Sequence, residues 1–98
     1  MILHLVLFRF KPDASAARID AAGRALLGMQ VGIPEIRGIQ WGPNLGPSAS
    51  EYPFALQVRL DDMGAVQTYL DHPVHRATVK DFLHEIREAR MAIDLEVP

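Results

Sequence analysis

The segment Ile2–Phe10 alternates like a strand but is apolar on both sides. Ile2, His4, Val6, Phe8 and Phe10 share one face, and Leu3, Leu5, Leu7 and Arg9 share the other. Such a strand needs cover above and below. A chain of 98 residues forms one domain, here residues 1–98, and buries only a modest fraction of its surface alone. Oligomerisation would therefore help it, and the first strand shows where.

The remaining chain supplies the partners. Lys11-Pro12 ends the strand. Asp13 or Ser15 can cap a helix running to about Met29, with Ala22, Leu26 and Met29 at helical spacing. Gly32 is a C-terminal stop, with Pro34 beyond it. Ile36–Trp41 reads as a short strand. The loop Gly42–Glu51 is a hairpin connection, with a lid over a pocket as the functional alternative. In Pro53–Leu60, Phe54, Leu56, Val58 and Leu60 alternate with Ala55, Gln57 and Arg59, a strong strand. Asp61-Asp62 caps a short helix from Met63 to about Leu70. Pro73 forces a bend and suits the start of another helix, expected to reach Arg87 or Arg90 with Val79, Phe82 and Ile86 as its apolar stripe. Met91–Val97 alternates as a final strand.

The order is β-α-β-β-α-β, without internal repeats. Two β-α-β halves with right-handed crossovers predict an α+β, ferredoxin-like fold: a four-stranded antiparallel sheet with helices on one face. The other face is left bare. Its simplest cover is a second copy related by a two-fold axis, so a homodimer with sheet-to-sheet packing is expected. Gln57, Arg59 and Glu96 are the polar entries weighing against a uniformly apolar face.

Several function classes drop out. A net charge of −2 and the lack of any basic run give no electrostatic footprint for nucleic acid. The absence of cysteine removes disulfides, thiolate chemistry and cysteine zinc sites. The apolar N-terminus has no basic leading region and contains His4, which makes it a poor signal peptide. No run approaches the roughly 20 apolar residues of a membrane span. The cytoplasm is the default location. Dinucleotide, P-loop and nucleophile-elbow motifs are absent. Trp41 and Phe54 read as core or interface residues.

The chemistry concentrates in Tyr69-Leu-Asp-His72-Pro73-Val-His75. His75 lies on the apolar stripe four residues before Val79, pointing toward the sheet, where His4 sits on the first strand. If that strand face looks at the helices, the two rings can share a cavity with the Tyr69 hydroxyl. A tyrosine and two imidazoles in an apolar pocket could abstract a proton next to a carbonyl and stabilise the enolate oxygen. Imidazole suits the task because its unperturbed pKa is near neutral. The alternative is that His4 and His75 simply hydrogen-bond backbone, with Tyr69 a core residue. His72 reads as an N-cap. A metal reading, with His4, His72 and His75 as nitrogen ligands and Asp71 beside them, rests on an i, i+3 spacing that Pro73 interrupts. His84 lies off the stripe and is expected in solvent.

Taken together, His4-Leu-Val-Leu-Phe-Arg-Phe-Lys11, Ile33-Pro-Glu-Ile-Arg-Gly38, Trp41-Gly-Pro-Asn44 and Tyr69-Leu-Asp-His-Pro-Val-His75 resemble the Dabb family, the stress-responsive dimeric α/β-barrel proteins. The resemblance covers essentially the whole chain in order. It implies two ferredoxin-like protomers packed sheet to sheet into a barrel. One branch, a plant polyketide cyclase, closes a linear poly-β-keto thioester by an intramolecular aldol step without a cofactor. By that resemblance His75 is the base, Tyr69 holds or polarises the substrate, and His4 is a pocket histidine. His72, Phe54, Val79 and Phe82 would complete the substrate pocket, with no metal or cofactor. The cyclase has a further pocket histidine near the start of the third strand, where this chain has Phe54, so the pocket should be more apolar. The implied function is binding of a small apolar carbonyl compound, with cofactor-free cyclisation or proton transfer as the implied chemistry. Many members with the same His-Pro-x-His element have no assigned reaction, and others are stress proteins that assemble into larger, very stable oligomers, which implies instead an assembly module with structural histidines.

Overall fold

The computed structural model describes residues 1–98. Strand β1 (Ile2–Phe10) takes an inner place in a four-stranded sheet of order β2-β3-β1-β4, with β2 at Gly38–Pro43, β3 at Phe54–Leu60 and β4 at Arg87–Glu96. β1 pairs antiparallel with both β3 and β4, and β2 pairs antiparallel with β3. This is the expected ferredoxin-like arrangement.

Helices α1 (Ala16–Gly32), α2 (Met63–Asp71) and α3 (Pro73–Thr78) cover one face. Ser15 rather than Asp13 caps α1, its hydroxyl accepting from the Arg18 amide at 3.1 Å. Asp62 caps α2 through the Ala65 amide at 2.8 Å. Under the helices, Ile2, Val6, Phe8 and Phe10 of β1 pack with Leu26, Met29, Leu56, Val58, Leu60, Val66 and Tyr69 in one core. The loop after β2 is tied to itself: the Asn44 side-chain amide donates to the Ser48 hydroxyl and the Tyr52 carbonyl, each at 2.9 Å. It serves as the hairpin connection. No helix is long and apolar enough to cross a membrane.

The last third of the chain departs from expectation. The helix starting at Pro73 stops at Thr78; one π turn, Val79–Leu83, follows, and β4 begins at Arg87 instead of Met91. His84-Glu-Ile-Arg-Glu-Ala-Arg90 has good helix formers, but Arg87–Arg90 find ladder partners in Phe8–Phe10, and tertiary pairing overrides propensity. A π turn also spreads its residues more widely than an α turn and shifts the buried stripe. Leu83 and Ile86 are buried, whereas Phe82 is 42% exposed.

The register corrects one further point. Glu96 pairs with Ile2 and lies on the helix side, away from the bare face. On that bare face Leu3, Leu5 and Leu7 stand opposite Leu95, Ile93 and Met91. Gln57 and Arg59, opposite Leu5 and Leu3, are its polar entries from β3.

Gly23 explains its own presence inside α1. A Cβ there would land within the Trp41 indole, so the glycine lets helix and sheet edge close on each other. Gly23→Ala gains helix propensity but overpacks a rigid ring. We expect a net loss of about 1–2 kcal/mol in chemical denaturation. A variant as stable as the parent would show that Trp41 moves freely.

Candidate active site

The site begins with the bend between α2 and α3. His72 precedes a proline and is held extended, with φ −65° and ψ 137°. Its Nδ1 accepts from the Val74 amide at 3.1 Å, so the ring caps α3 as expected. Pro73 fills the first helical position. One turn on, His75 reaches back, and its Nδ1 lies 3.1 Å from the Leu70 carbonyl. A carbonyl only accepts, so Nδ1 carries the hydrogen. In the neutral ring, Nε2 is then the nitrogen with a free lone pair.

His75 borders a cavity of about 160 Å³ between the helices and the sheet. That is close to the roughly 150 Å³ of an engineered apolar cavity that accepts benzene. His4 and Tyr69 line the same space, with Val6, Leu26, Leu56, Val79 and Leu83 among its apolar walls. The Tyr69 ring touches both histidines: its centroid is 4.7 Å from that of His75 and 5.7 Å from that of His4. Tyr69 itself is 1% exposed. Its hydroxyl is absent from the protein's hydrogen bonds, yet no buried side-chain polar atom lacks a partner. The hydroxyl therefore opens onto the cavity instead of bonding to backbone.

His4 is fixed from the far side. It pairs with Asp94 across β1 and β4, and its Nδ1 lies 2.6 Å from Oδ1 of that carboxylate. A charge-assisted bond this short sets the ring's tautomer and orientation.

Burial governs the electrostatics. Desolvation lowers the His75 pKa below its ordinary 6.5, and the neighbouring His4, Arg90 and Arg76 push the same way; the bond to Leu70 opposes them. His75 is thus neutral near pH 7. Burial raises the Tyr69 phenol well above its ordinary value against a smaller opposing effect of Arg90, so the hydroxyl stays protonated. A neutral imidazole with a free Nε2 beside a protonated phenol can accept one proton and donate a hydrogen bond to a neighbouring oxygen.

Of the residues expected here, His4, Tyr69, His75 and Val79 come together. His72, Phe54 and Phe82 lie outside this cavity. His72 is engaged as the cap of α3 through the Val74 amide. Phe54 stacks on Trp41, with centroids 5.3 Å apart, in an aromatic cluster with Phe10. Phe82 is turned outward by the π turn. No group of three or more His, Cys, Asp or Glu side chains is placed to hold a metal ion, so the three-histidine metal reading has no donor set. Asp94, Arg87 and Arg90 are the additions. Asp94 is invisible until His4 is paired with it, and the two arginines read as helix until β4 is seen to start early.

Residues 2–97 match the Stress Responsive A/B Barrel Domain family. An uncharacterised protein of Streptomyces coelicolor is 32% identical over 81 residues, which span 81% of this chain and 84% of that protein. A dimeric ferredoxin-like protein of unknown function from Bacteroides fragilis superposes with a TM-score of 0.84 at 29% identity, covering 98% of this chain and 95% of its own. Hydroxynitrile lyase from Passiflora edulis shares the fold with a TM-score of 0.85 at 21% identity, covering 99% and 93% respectively.

Proposed function

The chain belongs to the stress-responsive A/B barrel (Dabb) family, and on that footing we propose that it is a homodimer that binds a small apolar carbonyl compound and moves a proton on it without a cofactor. In this reading His75 Nε2 takes a proton from the carbon next to the carbonyl. The Tyr69 hydroxyl donates to the oxygen that becomes the enolate. Asp94 holds His4 in one orientation at the cavity wall. The observation that carries the reading is the bond from His75 Nδ1 to Leu70, which fixes the free lone pair on Nε2 of a neutral ring bordering the cavity. That a protein of this fold is a hydroxynitrile lyase supports the fold as a host for enzyme chemistry and nothing narrower. The dimer rests on the bare apolar sheet face and on relatives described as dimeric.

The direct test is solvent-deuterium exchange at the α-carbon of acetophenone, followed by NMR. Exchange above the buffer rate supports the proposal; exchange at the buffer rate with this ketone and with small 3-oxo acids contradicts it. The pH profile adds a sharper expectation. The active form is the neutral ring, and its pKa lies below 6.5. Catalysed exchange should hold level as pH falls to 6.5 and decline only below it. A decline centred above 6.5 would assign the base elsewhere. Stability follows the same ring. The unfolded chain binds the proton more readily, so the contribution of His75 is complete above 6.5 and is lost as pH falls from there toward the folded value.

A second reading has its own observation. The His75–Leu70 bond also braces the α2–α3 bend by satisfying a carbonyl in the last turn of α2. A non-catalytic stress-response or assembly module would need it for that alone. His75→Ala would then cost about 1–3 kcal/mol of stability, with no activity to lose.

A further inference from the structure

The cavity has an electrostatic feature that proton transfer on a neutral ketone leaves unused. Arg87 and Arg90 both line it. Three residues apart on one strand, their side chains would ordinarily point to opposite faces of the sheet. A register shift between Arg9 and Phe10 prevents this: Arg87 pairs with Phe10 and Arg90 with Phe8, both on the helix side. The irregularity therefore brings two guanidiniums to one cavity, a known use of bulges beside functional sites. Neither has an acidic partner. Arg9, Arg18, Arg24, Arg37 and Arg76 each hold a carboxylate, but no ion pair or side-chain hydrogen bond engages Arg87 or Arg90. The nearby Asp94 is occupied by His4. Where they line the cavity, Arg87 is half-buried and Arg90 exposed, and burial together with the charge of Arg90 lowers the Arg87 pKa. Arg90 also acts on His75 and Tyr69, which places it within electrostatic reach of the ring pair.

Two unpaired cations at an apolar cavity repel each other unless an anion joins them. We propose that Arg87 and Arg90 form a carboxylate-binding subsite, so that the natural ligand is a small apolar keto acid or aromatic acid. Its carboxylate lies on the guanidiniums and its apolar body fills the space beside His4, Tyr69 and His75. A planar guanidinium is suited to this because it can donate two parallel hydrogen bonds to one carboxylate. The cavity volume suits a body of about one benzene ring. This inference rests on the cavity being the ligand site, as proposed above.

Binding of benzoate and of its uncharged counterpart benzamide, measured by NMR titration, separates the two claims. The full-length protein should bind benzoate at least about tenfold more tightly than benzamide, with the benzoate affinity falling as salt is added. Arg90→Gln and Arg87→Gln, which remove the charge from side chains lining the cavity, should each weaken benzoate severalfold and benzamide much less, narrowing the preference between the two. Benzamide binding as tightly as benzoate to the unsubstituted protein would overturn the carboxylate subsite while leaving the cavity proposal standing. Failure of both compounds to perturb His4, Tyr69 or His75 resonances would overturn both. The comparison of two ligands on the parent protein needs no variant to fold.

Discussion

His75→Asn should leave the protein folded and dimeric while lowering catalysed α-exchange by about 10²–10⁴, the usual contribution of a positioned general base. Asparagine can place an amide donor near the position of Nδ1, so the link to the Leu70 carbonyl and the α2–α3 bend can survive. What it cannot supply is a basic nitrogen where Nε2 stands. His75→Ala removes both functions and is expected to lose about 1–3 kcal/mol as well. Comparing the two separates the base from the brace. Normal exchange in a folded His75→Asn protein would remove His75 as the base. Loss of stability in His75→Ala alone, with no exchange to lose in the parent, would favour the assembly module. Circular dichroism and thermal melting serve as the folding controls.

The second large effect concerns the bare sheet face. Ile93→Asp should convert the protein from dimer to monomer, read by light scattering on a sizing column. Ile93 is 52% exposed in the single chain and stands opposite Leu5, midway along the Leu3–Leu7 and Met91–Leu95 rows. A carboxylate there can stay hydrated in a monomer. In a sheet-to-sheet dimer it would be buried without a partner, at a cost of about 3 kcal/mol or more. A two-fold axis places the substitution in both copies, so dimerisation should weaken by about 10⁴. An Ile93→Asp protein that remains dimeric at low concentration would move the interface off this face. If the dimer also stabilises each protomer, the monomer should melt at lower temperature and in a concentration-independent way.

The alternating segments Ile2–Phe10 and Phe54–Leu60 predict their strands because a period of two with an apolar face has few other solutions. The cap at Asp62 and the bend at His72–Pro73 are likewise readable, since both depend on neighbouring residues alone. The pairing of His4, Tyr69 and His75 could be anticipated from helix and strand phase. Of the expected stripe Val79–Phe82–Ile86, Val79 and Ile86 face inward, and Phe82 is lost because the π turn that contains it buries Leu83 instead. The segment Arg87–Arg90 is ambiguous by itself, being composed of helix formers that the sheet recruits as strand.

Local order therefore came from the chain itself: the succession of elements, the strand faces, the caps, and the histidines that point inward. These depend on residue spacing and on contacts a few positions apart. Tertiary structure alone decided the start of β4, the shift that turns Arg87 and Arg90 to one side, and the junction of Asp94 with His4. Each of those depends on which residue of β1 faces which residue of β4, some 90 positions away in sequence for the His4–Asp94 pair. Register between distant strands is a property of the packed sheet, and no local periodicity encodes it.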